Sequence, residues 1–90
     1  MRIDKFLKLS RLVKRRALAC EMVDIGAVRL NGRMVKPSAV VRVSDAIEIA
    51  FPRRVVSVEV TLVEERAIKR GAPPVRLIED RRLENDEHPW

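Results

Sequence analysis

One break in periodicity constrains this chain more than any other feature, and it falls at Gly26. Before it, apolar residues recur at steps of three and four; after it, at steps of two. In "LACEMVDIG", residues 18–26, Leu18, Ala19, Met22, Val23 and Ile25 lie within one broad arc of a helix. Gly26 is placed to end that helix in the left-handed conformation. In "AVRLNGRMV", residues 27–35, Val28 and Leu30 alternate with Ala27 and Arg29, and Asn31-Gly32 is the strongest short signal for a tight hairpin.

The flanks extend both patterns. Residues 3–12 suit a first helix, with Ile3, Phe6, Leu7 and Ser10 on one face and Lys5, Lys8 and Arg11 away from it. Asp4 favours the first turn and stands four before Lys8. A second helix fits residues 15–25, with Arg16, Cys20 and Asp24 along the edge opposite the apolar arc. Arg16 is therefore expected to project from the first turn, away from the buried side. Beyond the hairpin, Met34 and Val35 return along a second strand that Pro37 ends. Residues 40–51 read as extended, with a turn at Ser44-Asp45 and alternation at Ile47, Ile49 and Phe51. After a turn at Pro52–Arg54, Val56, Val58, Val60 and Leu62 share one face. Two helices followed by four or five short strands make an α+β fold, the helices packed on one side of a small antiparallel sheet. Past Glu64 the signals fade. The pattern predicts a domain over 1–63 and a charged C-terminal tail over 64–90, partly disordered, with one short strand at Val75–Ile78.

Ninety residues, 47% of them hydrophobic and 36% charged, suit one small globular domain. No apolar run approaches the ~20 residues that span a bilayer, and the N-terminus lacks the apolar core of a signal peptide. A lone cysteine, Cys20, fits a reducing compartment. The expectation is a cytoplasmic protein with no membrane partner, acting as a monomer.

Charge is where the sequence becomes specific. The net charge is +6, and residues 1–16 alone hold seven cations against Asp4. Residues 61–90 carry six cations against seven acids. Lys14, Arg15 and Arg16 sit where the second helix begins, although a helix N-terminus already carries about half a positive charge. Such a cluster disfavours folding slightly and favours an anion, because free N–H groups and the dipole form a phosphate site. The candidate contacts to a nucleic-acid partner are Arg2, Lys5, Lys8, Arg11, Lys14, Arg15 and Arg16. Arg29 and Arg33, flanking the hairpin turn, extend the set, and Asp4 is placed to orient Arg2 or Arg16.

"RID" at 2–4 and "RRALACEMVDIGAVRLNG" at 15–32 resemble the S-four RNA-binding domain, or alpha-L motif. That pattern opens its first helix with Arg-hydrophobic-Asp. It runs Ser-Arg-x-x-Ala-x-x-x-Ile-x-x-Gly through the second and closes with a Val-x-Val-Asn-Gly hairpin. Arg16, Ala19, Val23, Gly26, Val28, Leu30, Asn31 and Gly32 occupy those positions. Arg15 replaces the usual Ser, removing a side-chain N-cap, and Ser44 replaces a usual Gly. The opening "MRIDKFLKLSRLVKRR" is similar to the RqcP family of ribosome-associated quality-control factors. The resemblance implies binding to a large ribosomal subunit obstructed by peptidyl-tRNA, contact with both the rRNA and the tRNA, and support of the partner RqcH in C-terminal alanine tailing. The fifteen-kilodalton heat-shock proteins, which bind the same obstructed subunits, are the alternative; that family carries a longer basic C-terminal extension, whereas the tail here is near neutral, which favours the first resemblance.

Enzymatic chemistry has little to work with. Cys20 has no base beside it in sequence, and His88 has no candidate co-ligands, so neither a nucleophile nor a metal site is expected and no cofactor is implied. The alpha-L domain also serves pseudouridine synthases and tyrosyl-tRNA synthetases as an RNA-binding arm, but their catalysis requires a separate domain. Only Phe6, Phe51 and Trp90 are aromatic, and the first two read as core. Recognition is therefore expected through phosphate and shape rather than base stacking.

Overall fold

Helical period, left-handed stop and hairpin reappear in that order in the computed structural model, which describes residues 1–90. The elements are α1 (Ile3–Leu9), α2 (Arg16–Asp24), β1 (Val28–Leu30), β2 (Arg33–Met34), β3 (Ala46–Phe51), β4 (Arg54–Val60), α3 (Glu65–Lys69) and β5 (Val75–Arg82). The strands form one antiparallel sheet in the order β2-β1-β3-β4-β5. An α+β fold with helices on one face of a small sheet is what the sequence pattern required.

Local chemistry explains the turns. Gly26 ends α2 at φ 79°, and Asn31 and Gly32 both take positive φ, at 53° and 80°, as a two-residue hairpin turn of the primed type requires. Asn31 does more than turn. Its side-chain oxygen accepts from the Ala46 N–H at 2.8 Å and its amide donates to Asp45 Oδ1 at 3.0 Å, fastening the hairpin to the start of β3. Ser44 occupies its position at φ 78°, a conformation that suits the glycine more usual there.

The core lies between the sheet and the helices. Ile3, Phe6 and Leu7 from α1, and Ala19 and Val23 from α2, pack against Val28, Ile47, Ile49, Val58 and Val60. Each large side chain so buried contributes about 1.5–3 kcal/mol relative to exposure.

Three expectations change. First, α1 stops at Leu9 rather than residue 12, because Arg11 adopts a left-handed conformation at φ 64° and the chain turns there. A non-glycine residue in that conformation costs about 1–2 kcal/mol. Second, α2 buries a narrower face than its apolar arc. Only Ala19 and Val23 reach the core, whereas Leu18 is 45% and Ile25 78% exposed. The two outer apolar residues instead line an open groove with Met22 and Phe51. Third, residues 40–45 form no strand. Val40 makes a single bridge to Arg2, and Val41 is buried.

The stretch from 64 onward is also a correction, since residues 65–82 belong to the fold. Glu64 caps α3 by accepting from the Ala67 N–H at 2.6 Å, and Ile68 plugs into the core. The β5 strand pairs with β4 along its whole length, from Val60↔Val75 to Arg54↔Arg82, with a bulge at Ser57/Val58. Cross-strand charge pairs, Arg76 with Glu59 at 2.8 Å and Arg54 with Asp80 at 3.3 Å, join the two strands. Most of β5 remains exposed, so it shows little of the apolar alternation that announces a strand.

Residues 83–90, without helix or strand, return across the outer face of the sheet. The Arg81 guanidinium donates to the Pro89 carbonyl at 3.3 Å, and Arg29 lies 4.8 Å from the centre of the Trp90 ring. From β5 to β1 is a traverse of three strand spacings, or about 14 Å.

Candidate nucleic-acid interface

Asp4 organises the site. It opens α1, is only 3% exposed, and is the one charged residue buried in the protein. An isolated buried carboxylate would be costly, and this one is fully engaged. Arg2 grips it through two nitrogens, Nε to Oδ1 at 3.2 Å and Nη2 to Oδ2 at 3.1 Å. Arg16 reaches across from the first turn of α2 and places Nη2 3.3 Å from Oδ1. The Lys5 N–H donates to the same oxygen at 2.7 Å. Burial by itself would raise the Asp4 pKa. The hydrogen bonds from Arg2 and the Lys5 N–H, with the charges of Arg16 and Arg2, outweigh it and hold the carboxyl below the usual aspartate value.

Arg16 thus does not project away from the protein as its position on the helical wheel suggested; it bends toward the buried acid. Both arginine side chains stay about half exposed, at 51% for Arg2 and 49% for Arg16. One side of each fork is fixed by Asp4 and the other faces water. That is a preorganised pair of planar donors, suited to phosphate oxygens.

The start of α2 adds to the same field. Arg15 is its N-cap residue without a side-chain cap, and the first turn holds no acid. Lys14 and Arg15 are exposed and lie beyond ion-pair reach of any carboxylate. Lys5 and Lys8 follow along α1, and Arg11 stands just beyond its end. Seven of the nine candidate cations therefore lie on the two helices and the loop between them.

The remaining two are elsewhere. Arg33 sits on the edge strand β2. Arg29 lies between the inward-facing Val28 and Leu30, so it points to the opposite face of the sheet. There Trp90 covers it, and its Nε is buried without a hydrogen-bond partner. Arg29 is not part of the surface that Arg2 and Arg16 form.

Comparison with known proteins agrees with this architecture. Residues 1–47 match the S4 domain. A relative from Halalkalibacterium halodurans named RQC P-site tRNA stabilizing factor is 46% identical over 72 residues, covering 80% of this chain and 82% of its own. The chain belongs to this S4-domain family. A member from Streptococcus pneumoniae with the same name is 36% identical over 87 residues, 96% of this chain and 99% of its own, so the match runs through β5. A trimeric structure of Vibrio cholerae Heat Shock Protein 15 superposes with a TM-score of 0.77 at 28% identity, over 87% of this chain and 81% of that one.

The S4 match ends at residue 47, and the cations beyond it escaped the sequence reading. Arg66, Lys69 and Arg70 sit on or just after α3, which packs beside α1. Glu65 joins the two helices by pairing with both Lys5 and Lys69. Hydrogen bonds from those two ammonium groups lower its pKa. A signal for α3 was present: Glu65 and Lys69 are spaced i,i+4, Glu64 stands at the N-cap, and Gly71 supplies the stop at φ 103°.

Proposed function

We propose that this chain is a non-enzymatic RNA-binding factor that engages the large ribosomal subunit, touching both rRNA and peptidyl-tRNA after translation has stalled. The observation that carries the reading is the clamp of Arg2 and Arg16 on buried Asp4, beside an α2 start with neither side-chain cap nor first-turn acid. Two fixed, half-exposed arginine side chains next to exposed Lys14 and Arg15 make an anion-binding surface with geometry as well as charge. The family's name specifies stabilization of P-site tRNA, and the same task is proposed here. In that role the factor holds the tRNA while ribosome-associated quality control adds C-terminal alanines with RqcH. It acts in the cytoplasm as a monomer.

A second reading, recycling of large subunits that still carry peptidyl-tRNA, has support from the structural likeness to Heat Shock Protein 15. Gradient sedimentation of extracts from stalled cells tests both. Co-migration with large subunits and peptidyl-tRNA is expected, with RqcH in the same fractions under the first reading only. Protein found only at the top of the gradient, or with small subunits, overturns both. Light scattering of the purified chain tests the monomer.

A further inference from the structure

We infer that the cleft between the C-terminal end of α1 and α3 is a second seat for an RNA phosphate backbone. This extends the RNA-binding reading above and rests on it. The cleft has a volume of about 390 Å³ and is lined by Lys8, Ser10, Arg11 and Lys69, with the Gly71–Pro74 turn as its far wall. No acid lines it. The one carboxylate nearby, Glu65, is already committed to Lys5 and Lys69, and that bridge fixes the spacing of the two walls. Lys8 and Arg11 have no carboxylate within ion-pair distance.

A solvated charge run does not account for Arg11. It stands just past the end of α1 at φ 64°, with its N–H donated to the Lys8 carbonyl at 3.0 Å. That position is where helices prefer glycine. An arginine there strains the backbone, and strain kept at an exposed cation points to use of the side chain rather than to folding.

Position completes the case. Arg2, Lys5, Lys8 and Arg11 run from the N-cap of α1 to just past its end, with Lys5 and Lys8 on the helix itself. The helix is about 10 Å long. Its two ends are thus only a few nucleotides apart along a strand laid against it. A single strand whose phosphates meet Arg2 and Arg16 at one end reaches the cleft at the other, in a continuous electropositive track.

Full-length protein with purified large ribosomal subunits tests this, with affinity measured from 50 to 300 mM KCl beside thermal unfolding. The variants are Arg11→Gly, Lys8→Gln/Arg11→Gly, the charge-matched control Lys36→Gln/Arg42→Gln, and Arg2→Ala/Arg16→Ala. Arg11→Gly is expected to raise the midpoint of unfolding by about 4–8 °C, since it relieves the left-handed strain, while weakening binding. The double variant should lose roughly tenfold or more in affinity. Its log–log salt slope should become shallower by about 1.4–1.8, the loss of two phosphate contacts. An equal loss in the control overturns the inference, as does an unchanged slope in the double variant. So does competition by polyglutamate stronger than by an RNA of equal charge, which makes the occupant a protein. If the cleft variants bind normally while Arg2→Ala/Arg16→Ala does not, the cleft assignment falls and the RNA-binding reading stands. If the wild-type chain itself does not bind, both fall.

Discussion

Replacing Asp4 with Asn sets two explanations of the interface against each other. The substitution removes a negative charge from a chain of net charge +6, leaving +7. If RNA binding follows net charge alone, affinity rises. If Asp4 acts by holding Arg2 and Arg16, affinity falls despite the added charge. Asparagine keeps the shape and one oxygen for the Lys5 N–H, but its amide presents donors where two guanidiniums need an acceptor. Each freed arginine then loses ordering that it must recover on binding, about 0.5–1.5 kcal/mol per side chain. The expected loss of affinity is roughly 1–3 kcal/mol, or about 5- to 150-fold. Filter binding to large subunits at fixed salt reads this directly, and an affinity equal to or above wild type refutes the positioning role.

The same variant carries a stability signature. Hydrogen bonds to charged groups contribute about 1.5–3 kcal/mol. Both arginines are half exposed and regain water when released, so solvent screening brings the expected cost down to roughly 1–3 kcal/mol. Because the folded-state pKa of Asp4 lies below its unfolded value, its contribution is complete above the ordinary aspartate value of about 3.9 and disappears as pH falls through the lower folded value. Urea midpoints at pH 7, 5, 4, 3 and 2 should show wild type and Asp4→Asn well separated at pH 7 and 5. They should converge below about pH 4. A gap constant across that range means that the Asn costs stability through shape, not charge.

Other outcomes follow from single contacts. Arg16→Ala leaves Asp4 to Arg2 alone, so it should lower stability by about 0.5–1.5 kcal/mol in thermal unfolding rather than relieve repulsion at the start of α2. It should also weaken RNA binding by roughly 1–3 kcal/mol, against a smaller loss for Arg53→Ala in the β3–β4 turn. Gly26→Ala should cost about 1–2 kcal/mol, because φ is 79° there. The new Cβ would lie 2.9 Å from the Met34 methyl, a flexible chain end that can move aside, so a much larger loss would show that the β2 edge is rigid. Removing residues 84–90 strips Trp90 from Arg29 and the Pro89 carbonyl from Arg81, and should lower the unfolding midpoint by a few degrees. An unchanged midpoint would mean that the crossing segment does not hold the outer face.

What the sequence made legible was whatever depended on near neighbours. The helices, the stop at Gly26, the Asn31-Gly32 turn and the alternation of Ile47, Ile49, Val56 and Val58 are local signals, and each survives in the structure. The sequence announces only Val75–Ile78 of β5 and leaves α3 unread despite its local spacing; the rest of both depends on distant partners. The β5 strand owes its place to β4 rather than to an apolar face of its own, and α3 is held by Ile68 and by a salt bridge to Lys5, sixty residues earlier. The site shows the same division. That cations crowd α1 and α2 was readable by counting; that Asp4 would be buried beneath two of them was not, since no periodicity tells which polar residue a core will enclose.

The burial of Asp4 also answers why the chain tolerates Arg16 at a helix N-terminus. The usual devices that stabilise such an end, a capping side chain and a first-turn acid, are both absent from α2. Asp4 supplies the missing negative charge from a neighbouring helix, and does so for Arg16 alone. Lys14 and Arg15 keep their repulsion with the α2 dipole, and that cost is met by the packing of Ala19 and Val23 against α1 and the sheet. A capping serine or aspartate at position 15 would stabilise α2 locally but would engage one of the N–H groups that, under the proposed reading, face a phosphate. Placing the counter-charge on α1 stabilises the cluster from beneath and leaves its outer surface electropositive, which is the arrangement that an anion-binding helix start demands.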